Sequence, residues 1–505
     1  MSASCSSIKP QQSNTDLSYA NQEASQWRET PKLSISYAKK ADTTILAGGL
    51  TLIQDKLITA ALQSLDENFV SLPNPDFESF QTGKAYGNRG QCNPTYFTVG
   101  NLVKYLQDLR DKKGLSTEEI VQKYVFLTAG GCGPCRFGMY ITEFKKALRD
   151  AGFDGFRIMS FEHNKGIFQE SKEESVLHFT PTFFITLIKA LIIGDIINLL
   201  SYKMRPYELK RGDTDKATEE CREIISKAFM EKKNLVHSMW KCRKILEKVK
   251  LNRLQVKAKV MVMGEFWAAM TEGDGNYNLH RFLEEEGAEC IPQPLVNRLM
   301  LSIWEAEYEL AKRENLEKQS IKKVDFSTVK TKLLIKAAKV ALKTYFYLYA
   351  KAIGLHDYHL PNMEKLADLA KEYYPLDASG GEGHLEVAHL IESVKDNMSH
   401  LVISVKPFGC MPSSAVSDGI QSLVTSRFPS SNFLSIETSG EGAANFYSRV
   451  QMALFKAKQS AKEEYDILTI PAHIPNKIHS YLYQPTNEKA GTAAQLLSSI
   501  EDRKI

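Results

Sequence analysis

The chain has 505 residues, 43% hydrophobic, 25% charged and 10% aromatic, and a formal charge of +4 from 64 basic and 60 acidic side chains. At about 150 residues per folding unit this is roughly three units, or two with insertions, with ample chain for a large core. The composition excludes a disordered or fibrous chain, and the charge balance excludes a global basic field for nucleic acid.

The first 40 residues hold nine serines and no apolar signal core, so 1–42 read as a disordered tail and the expected compartment is the cytoplasm. From 43 the pattern alternates between strand and helix. TTILAGG (43–49) is a strand running into a glycine turn, and TLIQDKLITAALQSL follows with apolar residues at helical spacing. NFVSLP, KYVFLTAGG and FRIMSFE are further strands. Between them stand the helical stretches TVGNLVKYLQDLRDKKG and CRFGMYITEFKKALRDAG. Strands alternating with helices predict a parallel sheet covered on both faces, and 43–175 read as a first α/β domain.

Residues 176–255 read as a helical, basic segment. Its most apolar run, FFITLIKALIIGDIINLL (183–200), is long enough to span a membrane, but Lys189 and Asp195 are costly in lipid. A buried or partner-facing helix is expected instead, with no membrane span. From Lys227 to Lys259 eleven Lys or Arg stand against two acids. That excess is either a solvated helix face or a surface for CoA phosphates or an acidic partner.

A second α/β domain reads over 256–465, from AKVMVMGEF through AECIPQPL, HLVISVKPFG and NFLSIETSG to a long helix from Ala443, with a helical insertion at about 300–380. Residues 466–505 read as an irregular C-terminal tail. The chain has no G-x-x-x-x-G-K-[ST] loop, and Gly48-Gly49 lacks the full dinucleotide fingerprint.

Eight cysteines are too few for a disulfide scaffold at this length. Cys132 and Cys135, in GGCGPCRFGMY, follow a predicted strand and open a predicted helix, where the helix dipole and Arg136 favour thiolate. Cys92, in GQCNPTYFTVGNL, and Cys410, in VKPFGCMPS, also sit at strand ends or helix starts, the edge at which open α/β sheets bind ligands. Three chemistries fit. Cys132 and Cys135 spell the thioredoxin sequence CGPC, and HFTPTFFIT (178–186) is similar to its cis-proline segment, which points to a thiol–disulfide oxidoreductase. Alternatively Cys92, Cys135 and Cys410 hold an iron–sulfur cluster, with Cys132 as a candidate fourth ligand. The third is structural zinc in a non-enzymatic interaction protein. Cys5, Cys221, Cys242 and Cys290 read as tail or incidental buried thiols.

The motifs GQCNPTYFTVGNL, GGCGPCRFGMY, ALRDAGFDGFRIMSFE, GEFWAAMTEGDGNYN, GGEGH, VKPFGCMPS and ETSGEGAANFYSRVQM, spread over about 43–465, carry a further signal. Through them the chain resembles the 2-hydroxyacyl-CoA dehydratase-like iron–sulfur family, and within it the proteins related to the acyl-CoA dehydratase activase, including the double-cubane cluster proteins. The resemblance implies two Rossmann-like parallel-sheet halves with helical insertions. It implies a 4Fe–4S cluster, or a double cubane shared with a second related subunit or in a homodimer, bound by Cys92, Cys135 and Cys410 from both halves. A separate ATP-hydrolysing activator is implied as the source of a low-potential electron. That electron drives either radical dehydration of an acyl-CoA through a ketyl or reduction of another demanding substrate.

Other polar positions are weighed beside these. Arg136 and Lys406 are candidates to offset cluster charge. Glu265, Asp274 and Asn276, in a glycine-rich loop, either orient a substrate or partner or shape a turn. His384 is either a proton donor or the satisfied first residue of a helix.

Overall fold

The computed structural model describes residues 42–130, 135–162, 166–168, 180–252, 255–319, 326–378 and 381–467. The expected tails, Cys5, Cys132 and the start of HFTPTFFIT lie outside the described residues.

The first sheet is built from β1 (Thr44–Ala47), β2 (Phe69–Ser71), β3 (Tyr124–Gly130), β4 (Arg157–Glu162) and β5 (Gly166–Phe168). Its order is β2-β1-β3-β4-β5; the first four strands are parallel, in registers such as Ile45↔Phe69, Ile45↔Val125 and Phe126↔Ile158. β5 adds an antiparallel edge that the sequence pattern did not show. Five helices accompany this sheet: α1 (Leu52–Gln63), α2 (Phe77–Tyr86), α3 (Asn93–Asp111), α4 (Thr117–Lys123) and α5 (Tyr140–Asp150).

Three helices follow. α6 (Pro181–Met204), α7 (Asp213–Met230) and α8 (Leu235–Leu246) form the expected helical segment. α6 is long and apolar enough to cross a membrane, and most of its apolar stretch is buried inside the protein. Its charge at Asp195 is satisfied internally. The carboxylate accepts from Gln54 Nε2 at 2.7 Å and from the amides of Leu295 and Val296 at 3.1 and 2.7 Å. It thus satisfies the orphan donors that open a helix of the second half.

The second sheet consists of β6 (Ala258–Gly264), β7 (Ala288–Ile291), β8 (Leu401–Pro407) and β9 (Phe433–Thr438), all parallel in the order β7-β6-β8-β9. Between β6 and β8 run α9 (Phe266–Met270), α10 (Leu279–Glu285), α11 (Leu295–Gln319), α12 (Phe326–Ile353), α13 (Met363–Ala370) and α14 (His384–Lys395). After β8 come α15 (Met411–Ser413), a π-helical stretch over Ser414–Ile420, and α16 (Gln421–Arg427); α17 (Ala443–Ile467) ends the described chain.

The two parallel sheets share one strand order: second, first, third, fourth. Each is a Rossmann-like α/β half, as the alternating pattern predicts. In each the order reverses between the first and third strands, so a switch point lies between β1 and β3 and another between β6 and β8. Ligands of open α/β sheets bind outside the carboxyl ends of strands at such points. β6 and β8 are almost wholly buried, which explains their unbroken apolar runs. An aromatic cluster of Phe80, Tyr96, Phe97 and Trp267 joins the halves, with Phe97 and Trp267 ring centroids 5.4 Å apart.

Candidate functional site

Three of the cysteines sit at the residue just before a helical turn. Cys92 is the N-cap of α3, Cys135 that of a 3₁₀ turn over Arg136–Met139, and Cys410 that of α15. Pro94 and Pro412 occupy the first turns that follow Cys92 and Cys410, where a missing amide costs little. The helix predicted from Cys135 divides into this 3₁₀ turn and α5, while α3 begins five residues earlier than its apolar period suggests.

Contacts between the loops bring the three together. The amide of Asn93 donates to the Phe408 carbonyl at 3.1 Å, and Asn93 Nδ2 donates to the Thr438 carbonyl at 2.7 Å. Gly409, at φ +77°, lies so close that a Cβ there would sit 3.1 Å from the Gln91 carbonyl and 3.3 Å from Cys92 Cα. From the other side, the Arg136 guanidinium donates to the Gly90 carbonyl. The first half thus supplies Cys92 and Cys135 and the second supplies Cys410. Cys135 is within electrostatic reach of both other thiols.

Cys92 Sγ lies 3.2 Å from both Thr95 Oγ1 and the buried Tyr140 hydroxyl. Cys135 Sγ accepts from the Phe137 amide at 3.5 Å, and Cys410 Sγ donates to Ser413 Oγ at 3.3 Å. Burial dominates over these helix-start contacts: it pushes the Cys135 thiol up to about 11 and the Cys410 thiol up to about 12, with the Glu265 carboxylate adding to both. As they stand these are neutral thiols at pH 7, and a metal that took them would displace protons.

Glu265 follows Gly264, whose φ of +123° and lack of a Cβ let the end of β6 close on Val405 of β8. Its carboxylate caps α9, accepting from the Ala268 amide at 2.9 Å. Behind it stand two acids that the motif reading passed over, Glu382 and Glu386. Burial, then mutual repulsion, raises Glu265 to about 7 and Glu386 to about 8; burial likewise raises Glu382. Glu386 accepts from Ser404 Oγ at 3.2 Å, and Glu382 lies 3.8 Å from Arg298 Nε. A cavity of about 40 Å³ is lined by Glu382, Glu386, Arg298 and His389, too small for a substrate, whose pockets run to several hundred Å³. The signal for these acids was present in the sequence as two carboxylates one helical turn apart opening an apolar run, GEGHLEVAHLI.

The remaining candidates separate into structural roles. Asp274 accepts from the Phe77 amide at 2.8 Å and so opens α2. Asn276 Nδ2 donates to the carbonyls of Ala268 and Thr271, both at 2.8 Å, which shapes the turn. His384 opens α14, its ring 4.8 Å from that of Trp304, and burial lowers it to about 4, leaving a neutral imidazole. Lys406 pairs with Asp418, so its charge is neutralised there rather than at the thiols. Arg136 does lie among the cysteine loops, as the contact with Gly90 requires.

The site thus sets thiols carried by loops of the two sheet halves beside Glu265, an acid whose raised pKa of about 7 lets it hold or release a proton near neutral pH. Among the described residues no group of three or more His, Cys, Asp or Glu side chains is already arranged as a closed metal site. Cys132, the candidate fourth ligand, lies outside the described residues. No known family model matches the chain, and no curated protein matches it.

Proposed function

We propose that the chain is an iron–sulfur protein that accepts low-potential electrons from a separate ATP-hydrolysing activator and delivers them to reduction or radical dehydration of a demanding substrate, an acyl-CoA being the class the sequence resemblance suggests. One observation carries this reading. The loops that carry Cys92, Cys135 and Cys410, spread over more than 300 residues of sequence, touch one another. A cluster held there would supply one-electron chemistry at a potential tuned by burial and hydrogen bonding.

The chain's own residues have definable parts. Cys92, Cys135 and Cys410 would be the ligands, and the amides of the turns they cap face any negative charge placed on them. Thr95, Tyr140 and Ser413 hold the sulfurs in place through their hydroxyls. Arg136 ties the Cys92 loop to the Cys135 turn. Glu265, whose charge acts on both Cys135 and Cys410, would hold a proton beside them.

The test is iron, acid-labile sulfide and zinc content of the full chain, purified and reconstituted without oxygen, with its visible spectrum. About four irons with matching sulfide are expected, and Cys92→Ser, Cys135→Ser and Cys410→Ser should each lose them. No iron after reconstitution, or iron retained in all three variants, overturns the proposal; stoichiometric zinc would point to a structural site.

A further inference from the structure

α12 carries two apolar faces but, among the described residues, has partners for only one. Its inner face, with Leu342, Phe346, Tyr349, Ala350 and Ile353, is buried in the main core. On the outer face Val329, Leu333, Val340 and Leu348 are 53%, 70%, 65% and 45% exposed, with Ala337, Thr344 and Tyr347 exposed among them. At 100° per residue these positions fall on one stripe, which over 20 residues is about 30 Å long. A shallow groove of about 520 Å³ runs along it, lined by Leu333, Lys336, Val340, Thr344 and Tyr345.

Charge indicates what covers this stripe. Over Phe326–Ile353 the helix has six lysines and no acid. Two are turned inward: Lys339 is 2.7 Å from Glu307 and 2.8 Å from Glu364, and Lys332 pairs with Glu314. Of the other four, Lys351 closes the C-terminal end of the apolar stripe and three lie along its edges. Lys336 and Lys343 flank it on one side and Lys330 on the other; Lys343 is within electrostatic reach of Glu364, which Lys339 already pairs. The first turns of α6 extend the surface beside Tyr345. Lys189 Nζ is 5.1 Å from that ring centroid, and Ile185, one turn before, is 42% exposed. An apolar stripe edged by cations is the pattern of a helix lying in the plane of a bilayer interface. A second copy facing this stripe across a two-fold axis would bring two lysine rows together.

We propose that the outer face of α12 docks on an anionic membrane surface, its leucines and valines entering the headgroup boundary and Lys330, Lys336 and Lys343 meeting lipid charge. The proposal is independent of the electron-transfer reading. It is tested by co-sedimenting the full chain with vesicles of phosphatidylcholine and phosphatidylserine in a ratio of about seven to three, and with vesicles of phosphatidylcholine alone. Binding to the anionic vesicles only is expected, weakened by salt. Substituting all three lysines by Gln should weaken it on the order of a hundredfold, about fivefold for each charge. Leu333→Glu with Val340→Glu should abolish it without moving the thermal melt, because both side chains are exposed. Leu333→Trp should show a blue-shifted emission with anionic vesicles, which keeps the test intact if the glutamate variant folds poorly. Failure to sediment with the anionic vesicles overturns the proposal, as does binding unchanged in the glutamate variant. A concentration-dependent dimer that the same substitutions abolish would replace the membrane with a second copy.

Discussion

Two groups of cysteines in this molecule show how position decides what a thiol can do. Cys92, Cys135 and Cys410 stand at helix starts, on loops that leave strands or enter helices, and Cys135 accepts from the amide of Phe137. Cys221 and Cys242 lie in the interiors of α7 and α8, wholly buried, and each Sγ lies 3.7 Å from the other's carbonyl oxygen. Burial raises the pKa of Cys135 and Cys410, and the hydrogen bond with the Cys242 thiol, then burial, raises that of Cys221. The difference is in the neighbours. At the first site the Phe137 amide and Ser413 favour negative charge on Cys135 and Cys410; at the second the contacts are with the other thiol and with carbonyl oxygens, which favour the protonated thiol. Ligation chemistry therefore belongs to the loops, and packing to the helices.

Metal content separates the two groups of cysteines most strongly. A Cys221→Ala, Cys242→Ala double variant should reconstitute with as much iron as the parent chain, whereas any one of the three loop substitutions leaves none. Iron lost from the helix variant, at a melt close to the parent's, would mean that the two groups do not differ as their surroundings imply.

Much of this contrast was legible in the sequence. β6 and β8 declare themselves as continuous apolar runs because both faces are covered, as β3 does over Val125–Leu127, and Cys135 and Cys410 follow β3 and β8 as their motifs suggest. What a linear pattern does not contain is which loops meet. That Gly409 passes against Cys92 depends on packing between the two halves, across 317 positions of sequence. α2 was missed because its capping by Asp76 and its anchoring by Asp274 outweigh a weak apolar period. Lys406 was weighed by its nearness in sequence to Cys410, but it points to Asp418, 12 residues along the chain. Glu382 and Glu386 went unweighed because a carboxylate announces itself as functional only once its burial is known.

Those acids sharpen the comparison through pH. In the unfolded chain Glu386 ionises near its ordinary value of 4.5, whereas in the fold it keeps its proton to about 8. Between these values the folded state binds more protons, so stability falls as pH rises, by up to about 1.4 kcal/mol per pH unit, and levels off above the folded value. Glu386→Gln has no proton to lose and should flatten that slope. Chemical denaturation from pH 5 to pH 8 reads it directly; an unchanged slope would mean that Glu265 and Glu382, not Glu386, carry the titration.

The smallest effect distinguishes packing from polarity at the helix pair. Cys221→Ala removes one sulfur from a filled space between α7 and α8 and should cost on the order of 1 kcal/mol, the scale of a small core truncation. Cys221→Ser is closer in size but adds a hydroxyl that must be satisfied, and the Cys242 carbonyl lies 3.7 Å from the present sulfur, beyond an ordinary O–H···O distance. An underpaired buried hydroxyl costs about 1–3 kcal/mol. Serine should therefore melt lower than alanine, the reverse of the order expected if the cysteine were held there by its weak hydrogen bond. Thermal melts of the two variants, side by side with Cys242→Ala and Cys242→Ser, decide between these. Serine equal to or better than alanine at both positions would show that the pair is polar in character, and would remove the distinction from the loop cysteines on which the metal assignment leans.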